Sequence, residues 1–248
     1  MNKTSSIARA VFLSSKFFST LLVSLTVSLA GPSAYAAKPK YPADVKPLSL
    51  DNSYFQRSAA PDYWKLNGFL VRQISNSACS LAAVTLVLNG ARGSRDLDQG
   101  ERVLTQPAVL KATNRLDWSK ATATDGGGVS IRELKDIAAT AVEKNGLHAN
   151  VENVCTGRDD VRLERFRDDL RDNERTSSNF IIVNFDQSAV MEDAEPAGHF
   201  AAVGAYDATT DRVLILDPDK DWFEPYWVPT RRLFEAMGKT RGYLKFQF

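Results

Sequence analysis

Residues 79–90 read CSLAAVTLVLNG. Leu81, Ala82, Ala83, Val84, Leu86, Val87 and Leu88 fall on every side of a helical wheel and leave no polar face. A helix that is apolar all round is one that the rest of its domain surrounds. The pattern predicts a central, buried helix over residues 80–89, with Gly90 as its left-handed C-cap. Cys79 then stands at the helix N-terminus. There the unpaired N–H groups of the first turn and the helix dipole favour negative charge, which draws a thiol toward its nucleophilic thiolate.

Outward from this helix the chain reads as helices first and strands later. Ser130-Ile131-Arg132-Glu133 is a capping-box pattern, and it opens a helix with Ile131, Leu134, Ile137, Ala138 and Ala141 on one face. Leu163, Phe166 and Leu170 recur at helical spacing over residues 160–173, amid charges that read as a solvated face. The period then changes. FIIVNF (180–185) is a short β-rich run, and HFAAVGAY (199–206) and RVLILD (212–217) flank a turn at 207–211, which reads as a hairpin. A short capped helix over 230–238 and a terminal strand GYLKFQF (242–248) complete the order. Helices followed by an antiparallel sheet make an α+β domain. It is expected to run from residue 60 to 248, preceded by an extended arm (37–59) that carries three prolines and lies on the surface.

The chain has 248 residues, 44% hydrophobic and 25% charged, enough for one domain with a substantial core. Its start does not belong to that core. Lys3, Arg9 and Lys16 precede the apolar run FFSTLLVSLTVSLA (17–30), and Ala34-Tyr35-Ala36 supplies the small-x-small pattern of a cleavage site. The run is shorter than the roughly 20 residues that span a bilayer. These features predict a signal peptide over 1–36, cleaved near Ala36, with export by the general secretion route to the periplasm and no stable membrane association afterwards. Taking the three signal residues from 31 basic ones leaves 28 against 30 acidic. A surface so close to neutral gives no electrostatic case for nucleic acid or an anionic membrane, so a small molecule or a peptide is the expected partner. Two cysteines remain, Cys79 and Cys155. In an oxidising compartment a single disulfide between them competes with any catalytic reading of Cys79.

A thiol nucleophile needs a base, and the base needs a third group to orient it. Only two histidines are present, and His199 opens the first strand of the hairpin while Asp217 ends the second. Antiparallel neighbours joined by a short turn bring the two within hydrogen-bonding reach if the register allows. Gln73 lies six residues before Cys79, where its amide and the Cys79 N–H can together stabilise an oxyanion. Plainer readings stand beside these: His199 as a core histidine and Asp217 as a hairpin cap. Asp217-x-Asp219-x-Asp221 fails as a calcium loop, because Trp222 and Val228 stand where Gly and Glu are needed. Gly126-Gly127-Gly128 lacks the Lys-Ser/Thr of a phosphate loop and reads as a loop beside the site. His148 reads as a surface residue, Cys155 as part of a polar loop, and Glu192–Glu195 as a solvated loop able to act as a lid.

Gln73…Cys79 with its apolar helix, Gly128-Val129-Ser130, Gly198-His199-Phe200, Leu214-Ile215-Leu216-Asp217 and Pro225-Tyr226-Trp227-Val228 together resemble the phytochelatin synthase family, over about residues 63–248. The resemblance implies a papain-like fold, with Cys79, His199 and Asp217 as catalytic triad and Gln73 assisting the oxyanion. It also implies that Gly198 and Lys220 contact substrate. The family cleaves the Cys–Gly amide of glutathione through a γ-glutamylcysteinyl thioester and passes the acyl group to water or a second glutathione. No cofactor is then required for the chemistry, and heavy-metal ions such as cadmium or zinc enter as glutathione thiolates or as activators. Two departures stand out: Ser80 replaces the usual Gly after the nucleophile, and Lys220 replaces an Arg among three acids, Asp219, Asp221 and Glu224. Two other functions fit the same residues, namely an exported peptidase or amidase with another substrate and a binding module on an inactive scaffold.

Overall fold

The computed structural model describes residues 39–192, 196–238 and 241–248. The segment read as an export signal and residues 193–195 of the Glu192–Glu195 loop lie outside them. Among the described residues seven strands form one antiparallel sheet: β1 (Lys46–Pro47), β2 (Asn150–Cys155), β3 (Asn179–Asp186), β4 (Gly198–Asp207), β5 (Arg212–Leu216), β6 (Tyr226–Pro229) and β7 (Gly242–Gln247). Their order across the sheet is β1-β6-β5-β4-β3-β7-β2. The helices are α1 (Pro61–Leu66), α2 (Cys79–Arg92), α3 (Gln106–Thr113), α4 (Leu116–Ala121), α5 (Ile131–Lys144), α6 (Asp160–Asn173), α7 (Gln187–Val190) and α8 (Thr230–Met237).

The sheet is covered on both faces, which explains why its strands read as unbroken apolar runs instead of alternating ones. Phe180, Ile182, Phe200, Ala202, Leu216 and Leu244 pack with α2 and α5. The intervening Ile181, Val183, Ala201, Val203, Val213 and Ile215 pack with Leu163 and Phe166 of α6 and Leu233 of α8. A residue and its neighbour on one strand thus serve two different cores. This is the α+β arrangement expected from the sequence, with the Cys79 helix central and laid on an antiparallel sheet.

Several elements differ from their sequence reading. Gly90 is not the C-cap of α2, because the helix runs on to Arg92 and is capped at Gly93. Gly90 serves packing: a Cβ there would stand 2.6 Å from Leu66 Cδ2 of α1. Cys155 is the last residue of β2, paired opposite Gly242, and not part of a loop. That strand went unread because only Val151 and Val154 of its six residues are buried. The arm does more than cross the surface, since it adds β1 to the sheet edge beside β6 and buries Val45 and Tyr54. The capping box at Ser130 and Glu133 forms as read, with both reciprocal hydrogen bonds.

One irregularity decides what the hairpin presents. Ala205, Tyr206 and Asp207 pair with Leu214, Val213 and Arg212, whereas Ala202 and Val203 pair with Leu216 and Ile215. Gly204 is the extra residue of a β-bulge between the two registers. Carried one residue further, that second register sets Asp217 opposite Ala201 and on the face of His199, in keeping with their 2.7 Å contact. In the register that holds at Ala205, Asp217 would instead lie opposite Ala202 and point away from His199, because a one-residue slip exchanges the faces of a strand. A Cβ on Gly204 would meet Leu216 Cγ at 2.9 Å, so the bulge requires glycine by close approach.

Candidate active site

Cys79 is the first residue of α2 and is buried; its N-cap, Ala78, offers no side-chain acceptor, so the first-turn N–H groups are left to act on whatever sits at the helix end. The loop before it is held on both sides. Ser75 Oγ donates to Thr122 O at 2.7 Å, Ser77 Oγ donates to Gly126 O, and Ala78 N–H returns to Ser75 O at 3.2 Å. The Gly126–Gly128 segment is therefore a wall of this loop. Its own N–H groups at Gly126 and Gly128 go to Ala123 O and Ala121 O, leaving neither for an anion.

His199 lies at the start of β4, beside the N-terminus of α2. Its Nε2 is 2.7 Å from Asp217 Oδ1, and Cys79 lies close enough to the imidazole to raise its basicity. With Nε2 taken by the carboxylate, Nδ1 is the nitrogen left for the sulfur. Phe185 meets the ring edge-on at 5.5 Å, and Asn184 Nδ2 donates to His199 O at 3.1 Å, so ring and backbone are both fixed. Asp217 is buried and fully used. Oδ1 also accepts from Asp219 N–H at 2.8 Å, and Oδ2 accepts from Tyr226 Oη on the neighbouring β6.

Burial works against charge at both groups, and their pairing outweighs it. Desolvation alone would lower the basicity of His199, but the Asp217 charge and hydrogen bond, helped by Cys79, raise it well above the ordinary value. Desolvation alone would raise the Asp217 pKa. The charge and hydrogen bond of His199, with the Tyr226 hydroxyl and the Asp219 N–H, hold it below the ordinary carboxylate value. The pair is therefore built to keep a proton on the imidazole beside the sulfur.

Gln73 is tethered by its backbone, N–H to Pro218 O at 2.9 Å, directly beside Asp217. Its side-chain carbonyl is buried without a hydrogen-bond partner. Gly198 sits exposed at the start of β4, with Arg241 Nε 3.6 Å from where a Cβ would be, and Lys220 is exposed on the turn after Asp217. Gly198 directly precedes His199 on β4, and Lys220 follows Asp217 by three residues. His148 is exposed beside β2, as read.

Both cysteines are free, Cys79 buried and Cys155 exposed. β2 is three strands from β4, roughly 14 Å at the usual strand spacing, whereas a disulfide needs Cα atoms within about 7 Å. Among the described residues no group of three or more His, Cys, Asp or Glu could hold a metal ion, and no helix is long and apolar enough to cross a membrane.

Two residues at the site escaped the sequence reading. Arg72 donates through Nη1 to Asp217 O and Asp219 O, both at 2.9 Å, and Tyr226 donates to the Asp217 carboxylate. Tyr226 was visible only as part of Pro225-Tyr226-Trp227-Val228, and nothing in that motif marks it as a partner of an acid nine residues earlier.

Comparison with known proteins identifies relatives of the chain. Glutathione gamma-glutamylcysteinyltransferase 1 of Arabidopsis thaliana is 43% identical over 214 residues, which are 78% of this chain and 38% of that protein. Its namesake in Lotus japonicus is 25% identical over 202 residues, 76% of this chain and 36% of that protein. The glutathione gamma-glutamylcysteinyltransferase of Schizosaccharomyces pombe is 23% identical over 197 residues, 76% and 44%. The chain thus spans well under half the length of these relatives. A solved structure described as a C39-like peptidase from Bacillus anthracis superposes with a TM-score of 0.47 at 12% identity, covering 72% of this chain and 94% of that one, a likeness too weak to bear on function. The phytochelatin synthase family model matches residues 49–243, most of the domain and all of the candidate site, and the chain belongs to that family.

Proposed function

We propose that this chain is a cysteine-nucleophile acyltransferase and hydrolase that cleaves the Cys–Gly amide of glutathione. The observation that carries the reading is the buried His199–Asp217 pair beside Cys79, which opens a buried helix. His199 takes the Cys79 proton, and the sulfur attacks the carbonyl carbon of the cysteinyl residue. The oxyanion that forms accepts from the Cys79 N–H and the Gln73 amide. The carbonyl then re-forms, the C–N bond breaks, and His199 returns its proton to the departing glycine amine. The thioester left on Cys79 is attacked by water, or by the amine of a second glutathione, each activated by His199. Asp217 keeps the imidazole oriented throughout and stabilises its charged form. Heavy-metal ions such as cadmium or zinc belong to this reading as glutathione thiolates, part of the substrate, or as activators.

Mass spectrometry of the protein mixed with glutathione tests the proposal. A γ-glutamylcysteinyl adduct on Cys79 and one released glycine per adduct are expected, and Cys79→Ala abolishes both. Intact glutathione after prolonged incubation would overturn it. The proposal includes export to the periplasm, and N-terminal sequencing of the exported protein is expected to begin close to Ala37. A protein retained in the cytoplasm with Met1 intact would refute that part alone.

A further inference from the structure

We propose that Arg72 is a positioning residue that joins the acid side of the site to its oxyanion side, so that Asp217 and Gln73 are held as one unit. The two sides come from opposite ends of the domain sequence and meet at Arg72 and Gln73. Asp217 leaves β5 into a tight turn closed by its own carboxylate, which accepts the Asp219 N–H at 2.8 Å. Closing the turn from inside turns the carbonyls of Asp217 and Asp219 outward. Arg72 Nη1 bridges those two carbonyls, at 2.9 Å each. The next residue completes the bracket, because Gln73 N–H donates to Pro218 O between them at 2.9 Å.

Residues 72–74 are themselves anchored to the α2 side of the domain. The buried Gln106 side chain donates from Nε2 to Arg72 O at 2.9 Å and accepts from Ile74 N–H at 3.1 Å through Oε1. A chain of polar contacts therefore runs from α3 through the backbone of residues 72–74 to the turn that carries the acid. Its last link is one guanidinium. Without it two outward carbonyls lose their donor, and among the described residues the Gln73–Pro218 hydrogen bond is what still ties the acid turn to the oxyanion loop. The planar, multi-donor head of arginine suits this bridge better than the single ammonium of lysine. The turn that carries Asp217 would then sit less firmly against residues 72–74, and its carboxylate would be held less firmly against His199.

This inference rests on Cys79 being the nucleophile, and its test separates the two ideas by measuring the thiol without glutathione. The rate of Cys79 alkylation by iodoacetamide is followed against pH for the wild type, Arg72→Lys and Arg72→Ala, with Cys155→Ser as common background. Arg72→Ala is expected to alkylate about ten-fold more slowly at pH 6, with the acidic limb of the profile moved up by about one pH unit, and Arg72→Lys to fall between. Glycine release is expected to lose kcat by ten-fold or more, with KM for glutathione changed less than three-fold. An unchanged alkylation profile would overturn the proposal, and so would a rise in KM at constant kcat, which would make Arg72 a substrate contact. Loss of the cooperative unfolding transition in both variants would make it a residue of the fold and overturn the proposal equally. A shifted alkylation profile in a protein that never releases glycine would instead sink the proposed substrate while leaving the role of Arg72 standing.

Discussion

Asp62 lies on α1 with no exposed surface and no cation beside it. Asn173 Nδ2 donates to its Oδ2, while Oδ1 has no hydrogen-bond partner. Burial, and then the charge of Glu174, push its pKa from the ordinary 3.8 up to about 9, with Asn173 pulling weakly the other way. At neutral pH the folded protein therefore carries Asp62 protonated, whereas the unfolded chain carries it ionised. The sign follows directly. A raised folded-state pKa contributes stability that is complete below about pH 4 and is lost as the pH rises toward 9. Each pH unit in that window costs about 1.4 kcal/mol, so the loss at pH 7 is about 4 kcal/mol at most, a large share of the 5–15 kcal/mol typical of a domain. Asp62→Asn has the shape of the protonated acid and nothing to ionise. Urea unfolding of both proteins between pH 4 and 9 is expected to show the variant close to the wild type at pH 4 and more stable by a margin that widens with pH. A difference that stays flat across that range, or a variant less stable than wild type at pH 8, would refute the reasoning.

Tyr226→Phe removes one of the donors that hold the Asp217 pKa down and leaves Oδ2 buried and unpaired, at a cost of about 1–3 kcal/mol. Because a depressed carboxylate contributes stability that is lost as pH falls, the acid-unfolding midpoint of this variant is expected to move to higher pH, as is the acidic limb of its activity. Gly204→Ala brings a Cβ against Leu216 and is expected to destabilise by about 1–3 kcal/mol. It should also lower glycine release by more than the unfolded fraction measured by circular dichroism explains. Cys155→Ser is expected to leave glycine release within two-fold of wild type, since Cys155 is exposed at the sheet edge three strands from His199. Among the acids after Asp217, Asp219 accepts from Gln187 and Glu224 accepts from Ser49, whereas Asp221 is exposed. We expect γ-glutamylcysteine from hydrolysis to exceed longer polymers, and Asp221→Asn to raise the polymer share, most at low salt where like-charge repulsion of a second glutathione is least screened. Mainly polymer from the wild type, measured by chromatography of the thiol products, would show that the acidic turn does not disfavour the acceptor.

Local chemistry was enough to find the parts that repeat at a fixed period or sit at a helix end. The all-apolar run after Cys79 declared a buried helix, Ser130 and Glu133 declared a helix start, and the runs at 199–206 and 212–217 declared a hairpin. Those signals lie within a few residues of one another, so the sequence by itself determined the helix carrying Cys79, the hairpin carrying His199 and Asp217, and the α+β class. Elements with a sparse apolar pattern were not legible. β2 buries two residues of six, and Gly90 looks like a helix end although Leu66, from another helix, is the reason for it.

What only the tertiary structure decided is how those parts face each other. A hairpin fixes that His199 and Asp217 are near in space but not that they share a face, and the bulge at Gly204 settles this by one residue of register. Tyr226 and Arg72 reach Asp217 from nine residues after it and from 145 residues before it. No period in the sequence links such distant positions. They are joined because a buried carboxylate and the outward carbonyls of its turn must find donors, and the packed sheet and loops supply those that happen to lie alongside.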